Sequence, residues 1–340
     1  MTKSKENSSS LVTDGKFNFG TYNKPLVDIN PLDAKVSKIP IPRFLKNIRL
    51  KEWNAFQLGN DRFFIFIAIM DIKKVILLKI DIYDKKEGKR YNYEKKVMPW
   101  AINIPKNLLN SKISYKNKNI TINIYNKLKD KYIDIKFTIG QNKKLPKIEG
   151  LLKGLAENTE PMVASIPFSK YSGMYSHKAN CPMEGYLTIG EEKHNFKKGK
   201  SFLIIDDQKG YYPYIMKWDW VTASYYSEDK DLIGFNLTKN QSIDEEKYNE
   251  NCIWINGKIY PLPPVKFLRE KNKWYIRDSK GIVNLTFSVE MDNEIKTNML
   301  IVSSKYDGPF GWFNGYIKNS DRKINMERVF GMGERFYLRS

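Results

Sequence analysis

The chain has 340 residues, 41% of them hydrophobic and 14% aromatic, which is enough for packed cores and long enough for two domains. The net charge of +20 invites a nucleic-acid partner, but lysine outnumbers arginine 48 to 10 and the lysines are scattered among acids and apolar residues. A solvated surface is the simpler reading, and nucleic acid is not an expected partner.

The elements follow in chain order. Residues 1–16 are polar, lack an apolar signal core, and are expected to form a disordered tail of a cytoplasmic protein. Residues 17–47 hold Pro25, Pro31, Pro40 and Pro42 and are expected to be an extended arm laid over a domain. The longest apolar run, Phe63 to Met70, is too short to span a bilayer, so no transmembrane segment is expected. Arg62 to Met70 and Val75 to Tyr83 flank a turn at residues 71–74 and predict a hairpin. Ile120, Ile122 and Ile124, then Ile133, Ile135, Phe137 and Ile139, alternate with polar residues, as half-buried strands do. A short helical turn is expected over Lys147 to Glu157 and a connector over Thr159 to Pro167, with a domain boundary near residue 160.

The second half repeats the pattern. Tyr186 to Ile189 and His194 to Phe196 predict a hairpin. So do Cys252 to Ile255 and Lys258 to Leu262, joined by Asn256-Gly257, the strongest two-residue hairpin signal. Trp274 to Arg277 pairs with Ile282 to Val289, and Phe310 to Lys318 and Phe336 to Arg339 read as strands. The expected fold class is mainly β, with a first domain over 17–160, a second over 161–340 and few short helices.

Several chemistries lack support. Cys181 and Cys252 are too few for a disulfide framework. With His177 and His194 they match no zinc pattern, and no metal or cofactor is expected. There is no Gly-x-Ser-x-Gly elbow, and Gly331-Met332-Gly333 reads as a bulge or turn.

The richest stretch runs from Tyr211 to Tyr226, with seven aromatics in sixteen residues, and follows a strand-like run that ends in Asp206 and Asp207. Trp218 and Trp220 fall on one face of a strand and Asp219 on the other. The rings read as core or as pocket wall. Asp206 ends an apolar run, Phe202 to Ile205. Desolvation there would raise its pKa and suit a general acid, while a turn before Lys209-Gly210 is the plainer reading. His177 and Lys178 are expected in a loop just before a strand, near the same mouth. Glu334-Arg335 and Lys51-Glu52 read as ion pairs between domains. The candidate catalytic residues are Asp206, Asp207 and His177. The candidate ligand-binding residues are Tyr175, Lys178, Tyr214, Trp218, Asp219 and Trp220.

Tyr175-Ser176-His177-Lys178, Glu184-Gly185-Tyr186-Leu187, Asp206 to Gly210 and Trp218-Asp219-Trp220 together resemble the two-domain lipocalin-like proteins of the AttH and carotenoid-hydratase group of the calycin superfamily. Asp206, Gln208 and Gly210 take the Asp, Gln and Gly of that group's signature, and Asp207 and Lys209 depart from it. A closer resemblance, over nearly the whole chain, is to a domain-of-unknown-function family, number 2804. Its landmarks are Leu50-Lys51-Glu52-Trp53, Lys178 to Gly185, Trp218-Asp219-Trp220, Asn249-Glu250-Asn251, Val265-Lys266-Phe267 and Phe310 to Gly315. The resemblance implies two packed lipocalin-like β-barrels or curved sheets, with an apolar ligand in a barrel or in the cleft between them. It implies no reaction.

Three functions follow as expectations. The first is binding of an apolar or amphipathic small molecule. The second is a hydratase, lyase or cyclase acting on a lipid or isoprenoid-like substrate through an Asp proton donor. The third is carbohydrate or anionic-polymer binding on an open face of rings. The oligomeric state is not readable from the sequence.

Overall fold

Alternating apolar residues fold into antiparallel strands along nearly the whole chain. The structure is a computed structural model and describes residues 9–298, 303–320 and 322–339. Two large sheets account for almost all of these strands. The first runs in the order Lys89–Val97, Ile76–Asp84, Phe63–Asp71, Lys51–Gly59, Phe202–Gly210, Ser172–Ile189, Ile148–Leu155, Tyr132–Ile139, Ile120–Lys127 and Ser111–Lys116. The second runs from Lys258–Pro261 through Cys252–Ile255, Leu232–Lys239, Ile215–Tyr226, Lys323–Arg339, Phe310–Lys318, Val283–Met291 and Lys273–Arg277 to Lys266–Glu270. The chain changes sheet between Gly210 and Ile215, so the boundary expected near residue 160 falls inside the first sheet.

The first sheet curls around Ile65, Ile67, Ile69, Leu78, Ile80, Ile122, Ile135, Leu203 and Ile205, all buried. The second curls around Phe235, Ile253, Trp274, Leu285, Phe287 and Phe313. The outer faces of the two sheets meet over a third cluster, in which Phe64, Phe66, Tyr83 and Phe202 of the first pack on Trp220, Phe310, Phe330 and Met332 of the second. Strand Phe63–Asp71 is therefore buried on both faces, and its sequence is an unbroken apolar run rather than an alternation.

Strand Ser172–Ile189 is the hub. Its first part pairs with Met162–Ser169 and its last with Ile148–Leu155, while Phe202–Gly210 runs along the opposite edge. The strand swings between partners near Pro182 and Gly185. Gly185 has φ +135°, and a Cβ there would sit 2.0 Å from the Leu151 carbonyl oxygen, so only glycine fits.

The predicted hairpins form, over Phe63–Asp84, Tyr186–Phe196 and Cys252–Pro261. Asn256 (φ 50°) and Gly257 (φ 81°) make the tight turn of the last. Three expectations are corrected. Lys147 to Glu157 is no helical turn: Ile148–Leu155 is a strand, with Ile148, Gly150, Leu152 and Gly154 facing inward. Thr159 to Pro167 is no connector, since Met162–Ser169 is a paired strand. The polar N-terminal stretch is ordered from residue 9: Val12–Thr13 pairs with Lys16–Phe17, and Leu11 is buried with Tyr22, Leu26, Val163 and Tyr175. The arm beyond it pairs Gly20–Tyr22 with Met162–Ser169 and ends in an α-helix, Arg43–Arg49, the only one among the described residues. Residues 1–8 lie outside the described residues.

Candidate functional site

Strand periodicity decides which side chains reach the interface. On Phe202–Gly210 the even-numbered residues face the second sheet, and Leu203 and Ile205 face the first sheet's interior. On Ile215–Tyr226, Trp218 and Trp220 face the first sheet. Where the third cluster gives out, the two outer faces part around a cleft of about 300 Å³. Its apolar wall includes Trp53, Phe66, Ala68, Met70, Trp218 and Phe336. Its polar groups include Asp206, Gln208, Glu250, Tyr306 and Glu334. The rings interlock: Trp218 stacks on Phe336 at 4.1 Å between centroids, and Trp53 meets Trp218 edge-on at 5.8 Å.

A buried network closes one side of the cleft. Lys178 Nζ lies 2.7 Å from Asp206 Oδ2, 3.6 Å from Glu250 Oε2 and 5.0 Å from the Trp220 ring centroid. Gln208 Nε2 donates to Asp206 Oδ1 at 3.2 Å, and Ser176 Oγ donates to Glu250 Oε2 at 2.6 Å. Burial pushes the Lys178 ammonium down, but Asp206 and Glu250 more than offset it and its pKa is raised. Two carboxyls share that one ammonium. Burial raises the Asp206 pKa, Lys178 pulls it down, and Glu250 adds to the rise, so the net shift is upward.

Glu334 belongs to the same cleft but to a different environment. Trp218 Nε1 donates to its Oε1 at 2.5 Å, and Tyr306 is a second hydrogen-bond partner. Burial pushes its carboxyl up to about 7, against the pull of the Trp218 bond. The cleft thus pairs a lysine-bridged carboxyl with one that holds its proton near neutrality, the kind of split that acid–base sites use.

The other candidates lie elsewhere. Asp207 stands opposite His177 on the neighbouring strand, and both turn into the first sheet's interior, away from the cleft. Asn54 hydrogen-bonds Asp207, whose pKa burial raises to about 7. His177 is not in a loop: it is mid-strand and fully buried, with Nδ1 3.3 Å from the Tyr175 hydroxyl, and burial lowers it to about 4. Lys178 is also mid-strand rather than in a loop. Asp206 to Gly210 is strand and not a turn. Asp219 faces the second sheet's interior and pairs with Arg269. Tyr214 is exposed outside the cleft. The cleft therefore unites Asp206, Trp218 and Trp220, with Lys178 behind Asp206.

Glu250, Gln208, Tyr306 and Trp53 were not singled out as site residues from the sequence. Glu334, expected in an ion pair between domains, instead accepts a hydrogen bond from an indole. Glu52 pairs with Lys73 and Lys209, which belong to its own sheet. Among the described residues no group of three or more His, Cys, Asp or Glu is placed to hold a metal ion, and no helix is long and apolar enough to cross a membrane.

Two curled antiparallel sheets, packed face to face around an apolar cleft with carboxyls in its wall, define a two-sheet, mainly β protein. The chain belongs to the family described as Domain of unknown function (DUF2804), whose model matches residues 2–339. No curated protein sequence matches it. Among solved structures it is similar to CghA with Sch210972, at 11% identity and TM-score 0.55, covering 85% of this chain and 88% of that one. It is also similar to kievitone hydratase from Nectria haematococca (13% identity, TM-score 0.48, 85% and 89% covered). A third similar structure is a putative AttH from Nitrosomonas europaea (10% identity, TM-score 0.47, 89% and 97% covered). The likeness to CghA shows a shared fold.

Proposed function

We propose that this protein binds an apolar or amphipathic small molecule in the cleft between its two sheets. The observation that carries this reading is the cleft itself: about 300 Å³ walled by Trp53, Trp218, Phe336, Phe66 and Met70, with a few convergent polar groups. The volume suits a small ligand, and the ring wall favours an apolar body. Gln208, Tyr306 and Glu334 are placed to orient one polar group of that ligand. CghA, which shares the fold, was crystallised with the small molecule Sch210972. Native mass spectrometry and solvent extraction of the purified full chain test the reading. A stoichiometric apolar small molecule is expected, and its loss when Ala68 is enlarged places it in the cleft.

Glu334 favours a second reading on the same scaffold, a hydratase, lyase or cyclase working by proton donation. A carboxyl that keeps its proton to about pH 7 beside aromatic rings has the properties of a general acid toward an alkene or carbonyl. In a hydration, the Glu334 proton would go to one alkene carbon and water would add to the other. The proton shed by that water would return to the Glu334 carboxylate. Asp206 suits this role less, because Lys178 engages it directly. Carbohydrate binding on an open platform finds less support, since Tyr214 alone among the rings from Tyr211 to Tyr226 is largely exposed.

A further inference from the structure

One end of the molecule exposes a group of large apolar side chains. The helix Arg43–Arg49 buries none of its residues, and Phe44 is 65% exposed, with Leu45, Ile48 and the preceding Ile39 also open. On the short 3-10 turn Pro99–Ala101, Trp100 is 79% exposed, and Met98 beside it is open as well. Helix and turn face each other across a cavity of about 220 Å³, to which one contributes Asn47 and the other Pro99. The hairpin tip after Phe63–Asp71 ties this end to the ligand cleft. Asp71 and Lys73 line the cavity, and Ile72 and Val75 line the cleft.

The same end is strongly basic. Arg43, Lys46, Arg49, Lys74 and Lys106 surround it, with the half-buried Lys73 and the buried Lys51 behind them. Its acids are largely engaged: Asp33 pairs with Arg43 at 2.6 Å, and Asp71 with Lys73 at 2.6 Å. Glu52 is buried between Lys73 and Lys209. The crowding is felt at Lys51, whose ammonium is lowered to about 8 by burial and then by Lys74, Lys73 and Arg49.

We propose that this end docks on the surface of an anionic phospholipid bilayer, with Phe44, Leu45, Ile48 and Trp100 entering the headgroup region and the surrounding lysines and arginines facing the phosphates. Exposed Trp, Phe and Leu mixed with Lys and Arg are what an interfacial segment needs: apolar area for the acyl boundary and positive charge for the anionic surface. A second copy of this chain would set one basic face against another. A nucleic acid would match the charge and leave the Phe44 and Trp100 rings unused. Docking would also bring the Ile72–Val75 rim of the cleft toward the bilayer, a route by which an amphipathic molecule enters. That route rests on the ligand reading, whereas the docking does not.

The test is co-sedimentation of the full chain, without added ligand, with vesicles of phosphatidylcholine alone or mixed with phosphatidylglycerol. Binding to the mixed vesicles is expected, weakened by salt and absent from phosphatidylcholine alone. Phe44→Asp with Trp100→Asp is expected to weaken it by roughly tenfold or more, at unchanged melting temperature. Leu268→Asp, at an exposed apolar site on the edge strand of the second sheet, is expected to leave it unchanged, as is Ala68→Trp in the cleft. Equal binding to both vesicle types overturns the proposal, and so does indifference to the paired substitution. A dimer dissolved by Phe44→Asp with Trp100→Asp, without vesicle binding, also overturns it and makes this face a contact between copies.

Discussion

Trp218 Nε1 reaches Glu334 Oε1 at 2.5 Å, diagonally across two neighbouring strands in which Trp218 stands opposite Phe336 and Trp220 opposite Glu334. The contact joins the aromatic wall of the cleft to an acid that burial holds up to about 7. On the facing sheet Asp206 is bridged by Lys178. One cleft therefore presents two carboxyls in two electrostatic settings.

The indole next to Glu334 reports its titration. Tryptophan fluorescence of the wild type should show a transition centred near pH 7 that Glu334→Gln lacks. The stability sign follows from the raised pKa. The native state keeps a proton that the unfolded chain has released, so stability falls as pH climbs from the ordinary carboxylate range to about 7. Glu334→Gln should flatten that slope in urea unfolding across this range.

Lys178 is the only cation within salt-bridge reach of Asp206 and Glu250 among the described residues. Lys178→Met leaves two buried carboxyls without it and should cost about 3–5 kcal/mol in denaturant unfolding near neutral pH. The loss should shrink as pH falls and Asp206, whose pKa is raised, takes up a proton. A loss under about 1 kcal/mol would mean that water, not Lys178, compensates them.

Asp207 and His177 face each other's strands and titrate with opposite consequences. Asp207 is raised to about 7, so its contribution falls as pH rises toward 7, and Asp207→Asn should gain on the order of 2 kcal/mol relative to the wild type at pH 8. His177 is lowered to about 4, so its contribution is present above its ordinary range and is lost as pH falls toward 4. His177→Gln should resist acid better than the wild type in a pH-dependent thermal scan.

Gly185 lets the hub strand change partners. Gly185→Ala forces a Cβ against the Leu151 carbonyl at positive φ and should cost more than about 1–3 kcal/mol, read as a fall in melting temperature.

Much of the fold was legible because strand alternation is local. Ile120 to Ile139 announces its buried face residue by residue, and Asn256-Gly257 announces its turn. Ile148–Leu155 misled because Leu151, Leu152 and Leu155 fall at helical spacing, while Gly150 and Gly154, which let that strand lie close to its neighbours, carry no apolar signal. The sheet boundary was hidden for a different reason. Phe202–Gly210 is held in the first sheet by its pairing with Lys51–Gly59, a contact more than a hundred residues distant in sequence. At the site, the parity of Trp218, Asp219 and Trp220 was readable. The meeting of Glu334 and Tyr306 with Trp218 was not, since it depends on which strands of the second sheet become neighbours.

The most direct test is titration of a fluorescent apolar probe into the wild type and Ala68→Trp. Ala68 lines the cleft, and an indole there fills it from the first sheet. Saturable one-to-one binding by the wild type is predicted, weakened by roughly tenfold or more in Ala68→Trp at an unchanged melting temperature. Equal binding by the two proteins would show that the cleft between the sheets is not the ligand site.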